Sequence, residues 1–351
     1  MSGNRTGIVG ASGYAGIEAT RLLAHHPHAE LRFVTSDRWG GERVEKRIGL
    51  GGAAGALVYE SQDRIEDLAA GCDVVLLATP ADVSLALAPK FLAAGARVID
   101  LSGAFRLKEP SAYPKHYGFA HGAPELLAQA VYGLPELFRA RVPGARLVAN
   151  PGCYPTAAAL SLAPLLAAGI VDPGSIVINA ASGVTGAGRK ANEDFSFTEV
   201  EGDFRAYRVG RHQHSPEIIQ TLSLRAGAPV AATFTPHLLP VKRGILSTAC
   251  ARLLRGADAA AVSAAFAEAY GSEPFVTLAG SADEVSLKSV VGTNRCQIGF
   301  AIDAELADRV VVVAAIDNLV KGAAGQAIQN LNLLMGWEET SGLLAARAFH
   351  P

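Results

Sequence analysis

Cysteine is sparse in this chain of 351 residues, and what there is does not pair. Cys72, Cys153, Cys250 and Cys296 lie far apart, with no CxxC and no Cys/His group at zinc-binding spacing. That argues against a disulfide framework and a structural zinc; no metal is expected, and reduced thiols in a cytoplasm fit best. Neither sign of charge is in excess. The formal net charge is −2, so no general attraction to nucleic acid or to an anionic membrane is expected. Long apolar runs are lacking too: none reaches the roughly 18 residues of a membrane span. The N-terminus enters a strand after Arg5 without a signal-peptide pattern. Repeats and low-complexity linkers are missing. What remains is half hydrophobic and 18% charged, with 37 Gly and 18 Pro, the composition of a packed globular protein. Its length exceeds one ordinary core, so two domains are the default.

The richest chemistry lies in Asn150-Pro151-Gly152-Cys153-Tyr154-Pro155-Thr156. An apolar run, Leu147-Val148-Ala149, precedes it, and an Ala/Leu-rich helical segment, 157–168, follows. Cys153 therefore falls at or near a helix N-terminus. Free amide N–H groups and the helix dipole favour the thiolate there. Pro155 suits the first turn, where its missing N–H costs nothing. The ordinary alternative is a small buried hydrophobe; the strand–turn–helix setting favours the reactive thiol. Pro164, inside the helical run, predicts a kink or a division there.

A nucleotide site is expected at the start of the chain. Thr6-Gly7-Ile8-Val9 reads as a buried strand, followed by Gly10-Ala11-Ser12-Gly13-Tyr14-Ala15-Gly16 and a helix. Glycines at this spacing permit a tight turn and close approach of the backbone to a pyrophosphate on the helix N-terminus. Gly10, Ser12, Gly13, Tyr14, Ala15 and Gly16 are the candidate contacts. A second strand, 30–34, ends at Thr35-Ser36-Asp37-Arg38, where the ribose 2′ position is read. Ser36 and Arg38 suit the 2′-phosphate of NADP, while Asp37 argues for a 2′-hydroxyl. Asp73–Ala78 and Arg97–Leu101 are further buried strands of a parallel sheet. Ser102 and Arg106 follow the second of these, where an anion ligand is plausible. Residues 108–142 show no clear periodicity, and His116 and His121 there read as structural.

Beyond Cys153, the strand 175–180 leads to Ser182-Gly183-Val184-Thr185-Gly186-Ala187-Gly188-Arg189-Lys190, a small-residue loop closed by two cations, suited to an anion-binding nest. Arg211-His212-Gln213-His214-Ser215-Pro216-Glu217 then runs into a helix, with Ser215 as N-cap and Pro216 at N1. No third metal ligand accompanies the two histidines. Acid–base work beside a thiol is the more economical reading. Strands near 230–235, 244–254, 275–278, 297–302 and 309–316 give this half a largely antiparallel character. A last helix, through about 334, opens at Asp317-Asn318, where Asn318 could reach a nicotinamide amide. The fold class is α/β: a doubly wound, Rossmann-type parallel sheet over 1–151, an α+β substrate and dimerisation domain with a mixed sheet over 152–316, and 317–351 returning to the first domain.

A dinucleotide turn, a Cys opening the second half and a downstream His resemble the layout of the glyceraldehyde-3-phosphate and aspartate-semialdehyde dehydrogenase superfamily. More narrowly, the chain is similar, over nearly its whole length, to the N-acetyl-gamma-glutamyl-phosphate reductase family. Matching pieces are GASGYAG (10–16), DLSGAFRL (100–107), YGLPE (132–136), NPGCYPT (150–156), SGVTGAGR (182–189), HQHSPEI (212–218) and AIDNLVKGAAGQAIQN (315–330). Gly103 stands where the family commonly has an acid or Ala, and Gln213 where it commonly has Arg. The resemblance implies an NADP-dependent acyl-phosphate reduction in arginine biosynthesis through a Cys153 thioester, with His212 activating the thiol and shuttling the proton. His214 is the second choice. Ser182 and Gly183 would join the cofactor contacts; Ser102, Arg106, Asn150, Arg189, Arg211, His214 and Glu217 would hold the anionic substrate. It also implies a homodimer or homotetramer. A lysine-pathway aminoadipyl-phosphate reductase, an aspartate-semialdehyde dehydrogenase and a non-catalytic nucleotide sensor are the alternatives.

Overall fold

The computed structural model describes residues 4–190 and 193–344. Its longer helices are α1 (Tyr14–Ala24), α2 (Ala81–Ala93), α3 (Cys153–Ala167), α4 (Ser215–Ala226), α5 (Ala259–Tyr270) and α6 (Gly325–Met335). Contacts divide the chain into two compact units. One takes the chain through Pro151 and again from Ala323; the other is Gly152–Gly322. The first unit thus resumes at Ala323 rather than at Asp317. The reason is that Asp317 and Asn318 are bonded into the second unit, to Arg243 and to the Gly244 N–H. Residues 345–351 of the expected returning segment lie outside the described residues.

The first unit is built on β1 (Asn4–Val9), β2 (Ala29–Thr35), β3 (Tyr59–Glu60), β4 (Val74–Leu77), β5 (Arg97–Asp100), β6 (Val131–Tyr132) and β7 (Leu147–Ala149). They pair in parallel in the order β3-β2-β1-β4-β5-β7-β6. Val74, Val75, Leu76 and Leu77 are fully buried, as a sheet covered on both faces requires. Strand order reverses about β1, which puts the ligand crevice at the C-terminal ends of β1 and β4. The YGLPE segment holds α6 in place. Gly133 O accepts Asn330 Nδ2–H at 2.8 Å, and Glu136 Oε1 accepts Gln329 Nε2–H at 2.9 Å. These bonds partner two members, Gln329 and Asn330, of a buried polar stripe on α6. Gly103 also has a steric reason. A Cβ there would fall 2.0 Å from the Tyr117 ring, so the acid or Ala common in the family has no room.

One further latch ties α6 to α1. His26 is buried; its Nδ1 accepts the His28 and Ala29 N–H groups and its Nε2 lies 2.8 Å from Asn332 Oδ1. A main-chain N–H can only donate, so Nε2 carries the proton and donates to Asn332. The ring lies against Trp337, centroids 5.2 Å apart.

The second unit has β8 (Ile176–Gly183), β9 (Arg205–Ala206), β10 (Ala232–Leu239), β11 (Ile245–Arg252), β12 (Val276–Leu278), β13 (Cys296–Ile302) and β14 (Arg309–Ile316), in the order β12-β13-β14-β11-β8-β10-β9. The sheet is mixed: β8–β10 and β12–β13 are parallel and the remaining pairs antiparallel. Burial alternates along β8, β10 and β11, so one face carries the core and the other is more open, with Val177 41% exposed. α3 packs on β11 and β14, with α4 and α5 against it. Every residue of α3 from Tyr154 to Leu166 is buried. Fully burying each of Leu160, Leu162 and Leu165 contributes about 1.5–3 kcal/mol. Pro164 does not divide this helix, which runs on to Ala167. Proline removes the N–H that would have bonded the Leu160 carbonyl, and Tyr270 Oη from α5 donates to that carbonyl instead, at 2.8 Å.

Candidate active site

The glycine turn of the first unit is shaped for a dinucleotide. Gly10 has φ +85°, and a Cβ there would lie 2.6 Å from Ala78 O; a Cβ on Gly16 would lie 2.4 Å from Gly10 O. Both positions admit only glycine, which lets α1 start close against β1. At Gly13 the nearest atom to a Cβ is 3.6 Å away, so that glycine leaves space open at the helix N-terminus. Ser12, Gly13, Tyr14 and Ala15 are half-buried around it. The residues present fit a nicotinamide dinucleotide. At the end of β2, Ser36 is buried, and its Oγ accepts the Trp39 N–H at 3.1 Å. Arg38 is exposed, with no ion-pair partner among the described residues, while Asp37 accepts from Gln62 Nε2 at 3.0 Å. Ser102 and Arg106 also serve the backbone. Ser102 donates to Asp100, and Arg106, 6% exposed, donates to Asn150 O (2.8 Å) and Leu101 O (2.7 Å), joining the ends of β5 and β7. Asn150 donates to Ala323 O and accepts from Asn330. These three were expected at a substrate. In this structure Arg106 and Asn150, both buried, and the half-buried Ser102 are bonded as struts of the first unit.

In the second unit, Cys153 is the first residue of α3, after the N-cap Gly152, as its sequence setting predicted. It is half-buried and lines a cavity of about 310 Å³ together with His212, His214, Tyr154, Tyr207 and Arg208. Ser182, Gly183 and Gln213 also reach its wall. His212 is enclosed by rings: Tyr154, Tyr207, His214 and Phe234 have centroids 5.0–5.6 Å from its own. Its Nδ1 accepts the His214 main-chain N–H at 3.2 Å. Burial, with the Arg208 guanidinium adding to it, pushes its pKa down from 6.5 to about 4. The Tyr154 and Tyr207 hydroxyls lie 3.1 Å apart, and Tyr154 donates to His237 O. Burial raises both phenols, Tyr207 to about 12, so neither supplies a base near neutrality.

Glu217 is fully buried, and its Oε1 accepts the Gly152 N–H at 2.8 Å, so it fixes the N-cap of the cysteine helix. It is not a wall residue of the cavity. Asn318, expected near the nicotinamide, braces the loop after β8: Oδ1 accepts the Gly244 N–H and Nδ2 donates to Thr185 Oγ1. Arg211 is exposed and Arg189 half-buried, and neither lines the cavity. The cation that does is Arg208, the one non-glycine residue with positive φ (+45°) among those described. Sequence reasoning missed it, together with Tyr154 and Tyr207 as wall residues. A clue was available for Tyr154, which adjoins the cysteine; for Arg208 the position depends on an unusual backbone turn. A last contact comes from a π-helical turn, Val320–Ala324. A Cβ on its Gly322 would lie 2.7 Å from Cys153 Cβ, so this glycine lets the turn close on the thiol's own backbone.

A nucleotide crevice in the first unit, and in the second a cysteine at a helix start sharing a cavity with a histidine, define a class. Comparison with known proteins agrees. Residues 5–145 match the family model of the semialdehyde dehydrogenase NAD binding domain, and 153–318 that of the semialdehyde dehydrogenase dimerisation domain. Solved structures share the fold. Aspartate semialdehyde dehydrogenase II of Vibrio cholerae, complexed with ASA, gives a TM-score of 0.73 at 16% identity, covering 96% of this chain and 99% of that one. The Candida albicans aspartate semialdehyde dehydrogenase with NADP gives 0.69 at 15%, covering 95% and 99%. Curated relatives are far more similar in sequence. The N-acetyl-gamma-glutamyl-phosphate reductase of Symbiobacterium thermophilum is 47% identical over 99% of both chains, and that of Ectopseudomonas mendocina 48% over 97% of both. The chain belongs to the N-acetyl-gamma-glutamyl-phosphate reductase family, within the semialdehyde dehydrogenases. It has a nicotinamide-cofactor domain and a dimerisation domain.

Proposed function

We propose that this chain reduces N-acetyl-gamma-glutamyl phosphate to N-acetylglutamate 5-semialdehyde, with NADPH as cofactor and release of phosphate, in arginine biosynthesis. The observation that carries the reading is Cys153 opening α3 on the wall of a cavity it shares with His212, in a chain 47% identical to relatives of that name. The Cys153 thiolate attacks the acyl carbon, and the C–O bond breaks with its electron pair leaving on phosphate. A thiolate suits this because it is both a strong nucleophile and a tolerable leaving group. A nicotinamide held at the glycine turn of residues 10–16 would supply the hydride that reduces the resulting thioester. Cys153 then leaves as the thiohemiacetal collapses to the aldehyde. Arg208, on the cavity wall, is the cation for the anionic substrate, with Arg189 in the neighbouring loop as a second candidate.

Preference for NADP rests on Arg38, exposed at the end of β2, and on Asp37 being engaged by Gln62. NADPH should bind at least about tenfold more tightly than NADH, a difference of only about 1.4 kcal/mol. Arg38→Ala should erase most of it, and equal affinities in a titration of the wild type would refute the assignment. The more open face of the second sheet, with Val177 exposed, offers the apolar surface on which a second copy of the chain would pack as a homodimer, alone or within a homotetramer. A reducing cytoplasm suits its four free cysteines. The test of the activity is phosphate-dependent oxidation of N-acetylglutamate semialdehyde with NADP, run beside aspartate semialdehyde. Faster turnover of the second aldehyde would overturn the substrate assignment.

A further inference from the structure

The wall of the Cys153 cavity carries a neutral side chain that the fold leaves unspent. Gln213 lines the cavity and is half-buried, yet its carboxamide has no hydrogen-bond partner among the described residues. Its neighbours on the wall are committed. The Tyr154 and Tyr207 hydroxyls bond to one another, Tyr154 donates to His237 O, and Ser182 Oγ donates to Gly183 O at 3.0 Å. Arg208, the cation of the wall, can only donate. Gln213 Oε1 is therefore a strong acceptor held open to the cavity.

The chemistry of the substrate says what that acceptor is for. In an N-acetylated glutamyl phosphate the phosphate, the carboxylate and the acetyl carbonyl all accept hydrogen bonds. Donors such as Arg208 serve those groups. The one donor in the molecule is the acetamido N–H, and it needs an acceptor on the protein. We infer that Gln213 is a specificity-determining residue, whose Oε1 takes the acetamido N–H of the substrate while Phe195 and Leu238 cover the acetyl methyl. This rests on the substrate proposed above.

The apolar half of the subsite is built on the edge of the second sheet. Leu238 is buried on β10 and lines the cavity. Opposite it in register on β9 stands Arg205, whose Nη2 donates to Asp194 O at 3.0 Å. That bond ties the short turn Glu193–Phe195 to the strand pair carrying Leu238, and the half-buried Phe195 ring lines the cavity too. Neither side chain has a polar group to offer an anion. A methyl group is what such a surface accepts.

The test titrates unreactive analogues into the whole protein by calorimetry: N-acetylglutamate, glutarate, which lacks the acetamido group, and 2-acetoxyglutarate, in which oxygen replaces the N–H. Wild type should bind N-acetylglutamate about tenfold more tightly than the acetoxy compound, and Gln213→Met should bring the two within about twofold. In turnover the same variant should raise KM for N-acetylglutamate semialdehyde by about tenfold and barely move kcat. An unchanged ratio in a variant folded by melting curve would overturn the inference. So would an equal loss for N-acetylglutamate and glutarate, which would assign Gln213 to a carboxylate, or a loss confined to kcat. Phe195→Ala is read with N-formylglutamate, which lacks only the methyl: the preference for acetyl over formyl should fall about tenfold. No fall would overturn the apolar half. Failure of the underlying substrate reading looks different: wild type itself would bind glutarate as well as N-acetylglutamate and would turn over aspartate semialdehyde faster.

Discussion

His26 and His212 are the same device put to opposite uses. Both rings are buried, and both accept main-chain N–H groups at Nδ1 and so carry hydrogen on Nε2. In the first unit Nε2 is spent on Asn332, and the ring becomes a latch between α1 and α6. In the second unit Nε2 has no such partner among the described residues, and the ring lines a cavity with a cysteine. Burial and an Nδ1 that accepts from the main chain are therefore common to both rings. What distinguishes the two is the fate of one N–H group.

Variants at and around the two rings would break or sharpen that contrast. Cys153→Ser removes the only reason to leave His212 open, and single-turnover phosphate release should fall by more than about 10⁴, beyond the loss in any His212 variant. The double variant with His212→Leu should be little worse than Cys153→Ser alone, since groups acting as a unit are strongly non-additive. His26→Ala should leave turnover per folded molecule unchanged but lower stability by about 2–3 kcal/mol, because Asn332 Oδ1 and two amides lose their partner. Denaturant unfolding measures it; a fall in turnover with stability intact would blur the distinction.

Each histidine site also has a glycine packed into it, and alanine at each should separate function from stability again. Gly342 has φ +72°, and a Cβ there would meet His26 Cδ2 at 2.6 Å, so Gly342→Ala should cost about 1–3 kcal/mol of stability. Gly322→Ala would push on Cys153, and kcat/KM should drop by about 10-fold to 100-fold. The smallest effect concerns pH. Both rings are held below the ordinary 6.5 by burial, so unfolded chains bind protons that folded ones refuse. Their stabilisation is complete above pH 6.5 and drains away as pH falls below it, at no more than about 1.4 kcal/mol per pH unit for each ring. In His26→Ala one contribution should be missing, giving a shallower loss between about pH 6.5 and pH 5.

The parallel sheet was legible because its strands are unbroken apolar runs, such as Val74–Leu77, and the cysteine because a strand, a turn and a helix bracket it. Residues 108–142 were opaque for a physical reason: a two-residue strand, Val131–Tyr132, and a six-residue helix, Pro124–Gln129, are too short to display a period. Pro164 misled for another. Its missing bond is made good by Tyr270, whose hydroxyl reaches Leu160 across 110 residues of sequence. The arginines could not be sorted from sequence because a charge beside a strand end looks alike whether it lines a cavity, as Arg208 does, or clamps carbonyls, as Arg106 does.

α3 has one property that bears on how the molecule breathes. A helix buried from Tyr154 to Leu166, with its proline-freed carbonyl capped from α5, has no solvent face from which to fray. Its amide hydrogens can exchange with solvent only when the whole second unit opens. In a deuterium-labelling experiment the peptide that begins at Cys153 should therefore be among the last to take up label, ahead of nothing but the central strands. Cys153 would then ride on the slowest-opening part of its unit.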